Sequence, residues 1–145
     1  MKNILILVLV LAGCATAPQR RIIATDAAPK ALAVYSQGVQ VGDALYLAGQ
    51  IGLDPATRKL VEGGVQTETR RAIDNCRAIL EAAGYSLKDV VQVQVFLVDI
   101  NDYQPMNEVY ATYFKESPPA RAALAVAALP GGAKVEILMT AVKGR

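Results

Sequence analysis

Alternation between apolar and polar residues sets most of the elements. From Val90 to Val98 the order Val-Val-Gln-Val-Gln-Val-Phe-Leu-Val alternates and is rich in β-branched side chains, which predicts a strand with one face on a core. Between Thr67 and Ala83 the step changes to three and four residues. Ala72, Ile73, Cys76, Ile79, Leu80 and Ala83 share one stripe, with Glu68, Arg70, Arg71, Asp74, Arg77 and Glu81 mostly opposite. That spacing predicts an amphipathic helix stopped by Gly84, with Cys76 as a packing residue. Met106, Val109, Tyr110 and Tyr113 repeat on one face of a second helix, which Asp102 can cap and Ser117-Pro118-Pro119 stops. Upstream, Gly42-Asp43 lies between apolar runs and suits a tight turn, so Val39 to Ala48 reads as two antiparallel strands. Gly52 to Gly64, with Asp54-Pro55 and Gly63-Gly64, reads as loop.

Two more strands follow the second helix, one in the run Ala122 to Leu129 and one from Lys134 to Val142. The order is hairpin, helix, strand, helix, strand, strand: an α+β domain with one sheet and both helices on one face. The last two strands are apolar at nearly every position, which predicts burial on both sides. Two helices cover only one of those sides. Another copy of the chain is the expected cover, giving a closed homo-oligomer with Arg121 near a subunit interface.

Composition narrows the chemistry. The chain has 145 residues, 53% of them hydrophobic, enough for one domain with a real core. The 15 lysines and arginines stand against 13 aspartates and glutamates, and a net charge of +2 gives no footprint for nucleic acid. Histidine is absent, which excludes Ser-His-Asp, Cys-His and His-zinc chemistries. Neither Cys14 nor Cys76 has a partner at metal-ligand or CxxC spacing, so no metal site is expected.

At the N-terminus Lys2 precedes a short apolar stretch, Ile4 to Leu11, that cannot span a bilayer as a stable helix. It ends in Leu11-Ala12-Gly13-Cys14, which resembles a bacterial lipobox. The resemblance implies a signal peptide over residues 1–13, lipidation of the Cys14 thiol, a tether over 14–21 and a folded domain over 22–145. Acyl chains on Cys14 would hold an exported domain at the outer membrane, facing the periplasm. Without processing of the signal, the location would be cytoplasmic.

Arg121 is the one charged residue between Glu116 and Lys134, and it sits on an apolar strand. A guanidinium carried into a core is costly unless it meets a carboxylate, and its fork of donors suits a bidentate contact. Glu136, among Val135, Ile137, Leu138 and Met139, is the candidate acid. The pair is either a structural ion pair or a site for a small anionic substrate.

Four segments together carry a family resemblance: Ala31-Leu32-Ala33-Val34-Tyr35-Ser36-Gln37-Gly38, Gly49-Gln50-Ile51, Asp99-Ile100-Asn101-Asp102-Tyr103 with Asn107 and Tyr110, and Pro119-Ala120-Arg121 followed by Lys134-Val135-Glu136-Ile137. From about Ile22 to Lys143 the chain resembles the RidA (YjgF) family. The resemblance implies a chorismate-mutase-like α+β fold, with a single mixed sheet and two helices on one face, assembled as a homotrimer with three clefts between subunits. It also implies hydrolytic deamination of reactive enamines and imines, such as 2-aminoacrylate and 2-iminopropanoate, to 2-oxo acids and ammonia without cofactor or metal.

By the same resemblance, Arg121 holds the substrate carboxylate and Glu136 positions or deprotonates the attacking water. Tyr35 lines the cleft. Asn107 supports the site by hydrogen bonds, unless it only caps its helix or faces solvent. Gly49 lets backbone approach the ligand, unless it only ends a strand. Three positions depart from the pattern. Ala48 stands where deaminating members commonly carry Ser or Thr, Ala123 where they carry Cys or another polar residue, and Ala33-Val34 where they carry Gly-Pro. Backbone groups beside Ala123 could still contact a carboxylate. The substrate range stays open, and the alternative function is a non-catalytic binder of small carboxylates on the same scaffold.

Overall fold

The computed structural model describes Ala17 and residues 19–144. The lipobox, Cys14 and most of the expected tether lie outside the described residues. The end of that tether is strand instead. Arg20 and Arg21 open β1 (Arg20–Ile23), which pairs antiparallel with β2 (Gly38–Val41), so regular structure begins two residues before Ile22. Arg21 is held there by Gln40 at 3.0 Å and by the Ala83 carbonyl at 3.1 Å. A basic pair at a chain end reads as solvated tether, and these pairings have no signature in local sequence.

The predicted hairpin forms as β2 and β3 (Ala44–Leu47), with Gly42 at φ 58 in the turn, where a Cβ would be strained. A two-residue strand β4 (Gln50–Ile51) follows. Helix α1 (Gly64–Ala82) starts three residues before the expected Thr67, because Gly63 at φ 113 and Gly64 at φ 79 turn the chain directly into it. Then come β5 (Val90–Leu97), α2 (Tyr103–Tyr113), β6 (Ala120–Ala125) and β7 (Val135–Val142). Asp102 stands at the α2 cap position but makes no capping hydrogen bond; Asp99 instead accepts from the Asn101 amide, at 2.9 Å.

The sheet runs β1-β2-β3-β7-β5-β6, with β4 also paired to β7. All pairs are antiparallel except β5 with β6, which α2 connects, so the sheet is mixed. Val93, Val95 and Leu97 of β5 and Val135, Ile137 and Met139 of β7 point to one face and are buried beneath Ala72, Ile73, Cys76, Ile79 and Leu80 of α1. A fully buried Ile or Leu is worth about 1.5–3 kcal/mol, so this layer dominates stability. Cys76 is the packing residue expected: it is fully buried, burial pushes its thiol pKa up, and its Sγ lies 3.6 Å from the Ile137 carbonyl oxygen.

Within the single chain the last strands are covered on one side only. Strand β6 is an edge strand rather than a doubly buried one: Ala120, Ala122, Leu124 and Ala125 are exposed. It also stops at Ala125, short of Leu129. Small apolar side chains announce a covered surface but not what covers it. On the side away from the helices, Ile22, Tyr46 and Leu124 are each more than half exposed, at 51%, 52% and 54%. No described residue packs over this open face as the helices do over the other.

Candidate active site

Register decides which site residues can meet. Arg121 of β6 is paired with Val93 and therefore faces the helices, whereas Glu136 of β7 is paired with Phe96 and faces the open side. Strand β5 lies between them, a separation of about 10 Å across the sheet before the opposite facing is counted. The intrachain Arg121–Glu136 ion pair is therefore not formed. The two residues are adjacent in strand order along the sequence but not in the sheet.

Glu136 belongs to a pocket. A cavity of about 370 Å³ opens beside it, walled by Pro29, Tyr35, Ala48, Gly49, Ile51 and Leu53 among others. Tyr35 is anchored by its phenol oxygen, which accepts from the Leu32 amide at 3.1 Å, so its ring stands as a fixed wall. The Pro29 side is fixed by Gln37, a buried side chain whose amide donates to the carbonyls of Thr25 at 3.0 Å and Pro29 at 2.8 Å and accepts from the Thr25 amide at 2.6 Å. The sequence reading missed Gln37 as a scaffold. A lone Gln in a polar stretch carries no signal of burial.

Gly49 lies directly against Glu136. A Cβ built on it would overlap the Glu136 carboxylate, lying 2.7 Å from Cδ and 3.0 Å from Cγ. The missing side chain makes room for Glu136 itself. Two buried polar groups hold the same wall from behind. Asn75 donates to the carbonyls of Ile51 at 3.2 Å and Leu53 at 2.9 Å, and Glu68 accepts from the Lys134 amide at 2.7 Å. Burial raises the Glu136 carboxyl above its ordinary value, and among the described residues no arginine counters it. At the rim, Lys30 faces Asp26 at 3.3 Å in solvent, too exposed to serve as a fixed carboxylate clamp.

Arg121 sits in an aromatic cradle on the other face. Its Nη2 donates to the Tyr103 hydroxyl at 3.1 Å, and its Cζ lies 4.4 Å from the centre of the Tyr110 ring, within cation–π range. Among the described residues no carboxylate is within salt-bridge distance of it. Asn107 lies between Tyr103 and Tyr110 on one helical face, half-buried, and its side chain makes no hydrogen bond among the described residues. Ala123 faces the same way two residues beyond Arg121 and packs against the core, so it goes with the arginine and not with the Glu136 pocket. The structure thus brings Tyr35, Gly49 and Glu136 together, and separately Arg121, Asn107 and Ala123. Tyr103 was not singled out from sequence, although the 103, 107, 110 spacing marks a single helix face.

Known proteins share this arrangement of chain. The family model described as Endoribonuclease L-PSP matches residues 25–143. A 2-iminobutanoate/2-iminopropanoate deaminase of Mus musculus is 50% identical over 125 residues, covering 86% of this chain and 93% of the mouse protein. The human protein of the same name is 49% identical over 125 residues, covering 86% of this chain and 91% of its own. The crystal structure of RidA from an Antarctic Psychrobacter superposes with a TM-score of 0.82 at 46% identity, over 85% of this chain and 99% of the other. That of E. coli TdcF with bound serine superposes with a TM-score of 0.82 at 38% identity, over 86% and 99%. With its sheet, its two helices and almost the whole described length matched, this chain belongs to the RidA/L-PSP family.

Proposed function

We propose that this protein hydrolyses reactive 2-imino acids and their enamine tautomers, of the 2-aminoacrylate/2-iminopropanoate type, to 2-oxo acids and ammonia, and that it does so in clefts between the subunits of a homotrimer. The observation that carries this reading is the division of the site. One face of the sheet holds a pocket with the Glu136 carboxyl, whose lining cation, Lys30, is turned to Asp26 in solvent at the rim, and the other holds Arg121 with no carboxylate in reach among the described residues. A second copy that brings its Arg121 to this pocket completes both halves and covers the open face. The names of the mouse and human relatives supply the reaction, and the serine bound to TdcF shows that relative accepting an amino acid.

In the completed cleft the guanidinium of Arg121 grips the substrate carboxylate with paired N–H donors and orients the C=N bond. Glu136 takes a proton from water as the oxygen adds to the imine carbon. It returns that proton to nitrogen to give the carbinolamine, then takes the hydroxyl proton and passes it to nitrogen as the C–N bond breaks, so that ammonia leaves and the 2-oxo acid remains. Burial raises the pKa of this carboxyl, which favours its holding the proton between the two transfers. The rigid Tyr35 ring bounds the space for the substrate side chain.

The test is pyruvate formation from 2-iminopropanoate released by an oxidase acting on alanine. The wild-type protein should accelerate it, Arg121→Ala and Glu136→Gln should each abolish it, and a co-refolded equimolar mixture of the two variants should regain about a quarter of wild-type activity, the share of clefts that draw both intact residues from different chains. Failure of the mixture to recover would end the shared-cleft reading. Saturable binding of 2-oxo acids without turnover would favour the carboxylate binder, which Ala48, lacking a hydroxyl in the pocket wall, makes the specific rival.

The proposal extends to export and anchoring, supported by Leu11-Ala12-Gly13-Cys14 after a short apolar stretch. Labelled palmitate should enter the wild-type protein and not Cys14→Ser, and unlipidated full-length protein in the cytosol would overturn it.

A further inference from the structure

Arg121 is held entirely by neutral groups. Its Nη2 donates to the Tyr103 hydroxyl at 3.1 Å, its Cζ stands 4.4 Å from the Tyr110 ring centre and 5.8 Å from that of Tyr103, and no described carboxylate is within salt-bridge distance. Tyr103 and Tyr110 project from one face of α2, two turns apart. The Tyr110 ring is itself fixed, only 6% exposed and stacked on Phe114 with centroids 4.5 Å apart. The arginine therefore has a floor, Tyr110, and one directional stop, the Tyr103 hydroxyl.

The choice of a phenol has a physical consequence. A carboxylate in its place would hold the guanidinium more strongly, since it adds an opposite charge and a second, parallel N–H···O contact. It would also neutralise the charge and compete with an incoming anion for the same N–H groups. A phenol oxygen occupies one of five donors and leaves the charge unspent. We infer that Tyr103 is a positioning residue for Arg121, whose hydroxyl sets the plane of the guanidinium while leaving it fully cationic for the substrate carboxylate. This inference rests on the reading of Arg121 as the carboxylate clamp.

Tyr103 is 38% exposed, so Tyr103→Phe keeps the ring and should fold. Two quantities separate positioning from a merely structural role: KM for the imino acid against kcat, and the inhibition constant Ki for the 2-oxo acid product. Loss of the hydroxyl should raise KM and Ki about fivefold, because the guanidinium loses its directional stop, with a smaller fall in kcat. Tyr103→Glu, which supplies a competing carboxylate beside the guanidinium, should raise both constants about tenfold or more while thermal melting stays near wild type. The same assays on Arg121→Ala tell the two readings apart. If Arg121→Ala raises Ki strongly but Tyr103→Phe and Tyr103→Glu leave it unchanged, the inference about Tyr103 is wrong and the clamp stands. If Arg121→Ala leaves Ki unchanged, the clamp itself is wrong, and the role of Tyr103 falls with it.

Discussion

The pocket around Glu136 and the cradle around Arg121 solve opposite problems. The pocket keeps an acid partly dry: apolar walls raise its pKa, a glycine makes room for it, and buried amide and carboxylate groups hold the surrounding backbone. The cradle keeps a cation steady enough to aim, by means of one ring face and one phenol oxygen. Burial is the tool in the first case and neutral contact in the second. Each region has what the other lacks, and the sheet that stabilises both also keeps them apart within one chain.

Removing the acid should break the comparison most completely: Glu136→Gln is expected to lower kcat by about 10²–10⁴-fold, the usual worth of a general acid or base, with little change in product Ki, as steady-state kinetics would read. Gly49→Ala should come next. Its methyl competes with the carboxylate for one volume, and displacement by about 1 Å is enough to cost about 10²-fold in turnover. A crystal structure of that variant should show Glu136 moved.

A smaller effect tests whether the two regions meet across chains. The Glu136 pKa is raised in the folded protein, so between its ordinary value of 4.5 and the folded value the native state binds more protons than the unfolded state. Stability from this residue is therefore present in full at low pH and is lost as pH rises through that window. Glu136→Gln should remove the slope, seen as a urea midpoint that falls less with pH. If a neighbour's Arg121 reaches the pocket, Arg121→Ala should steepen the slope instead. The smallest effect concerns the floor of the cradle. The Tyr110 hydroxyl is buried with no hydrogen-bond partner among the described residues, and burial pushes its pKa up to about 12 against the pull of Arg121. Tyr110→Phe should raise stability by about 1 kcal/mol in denaturant titrations.

Much of this was legible along the chain, because α1, β5 and the β2–β3 hairpin are written in local periodicity and a local turn. Arg121 and Glu136 stood out for a similar reason, each a charge in an apolar run. Their opposite facing was not legible. It depends on the parallel register of β6 and the antiparallel register of β7 against the same strand, pairings that no short window contains. The basic start of β1 looked like tether for want of any apolar alternation. The role of Gly49 was hidden because its partner lies 87 positions downstream, at Glu136 in the paired strand next to β4.

That last contact ties two letters of the sequence into one. Any larger residue at 49 evicts the side chain at 136, and a shorter acid such as aspartate at 136 would retract from the hole and free 49 to vary. Sequence drift at either place is thus conditional on the other, and redesign of this enzyme's acid must begin by choosing both residues at once.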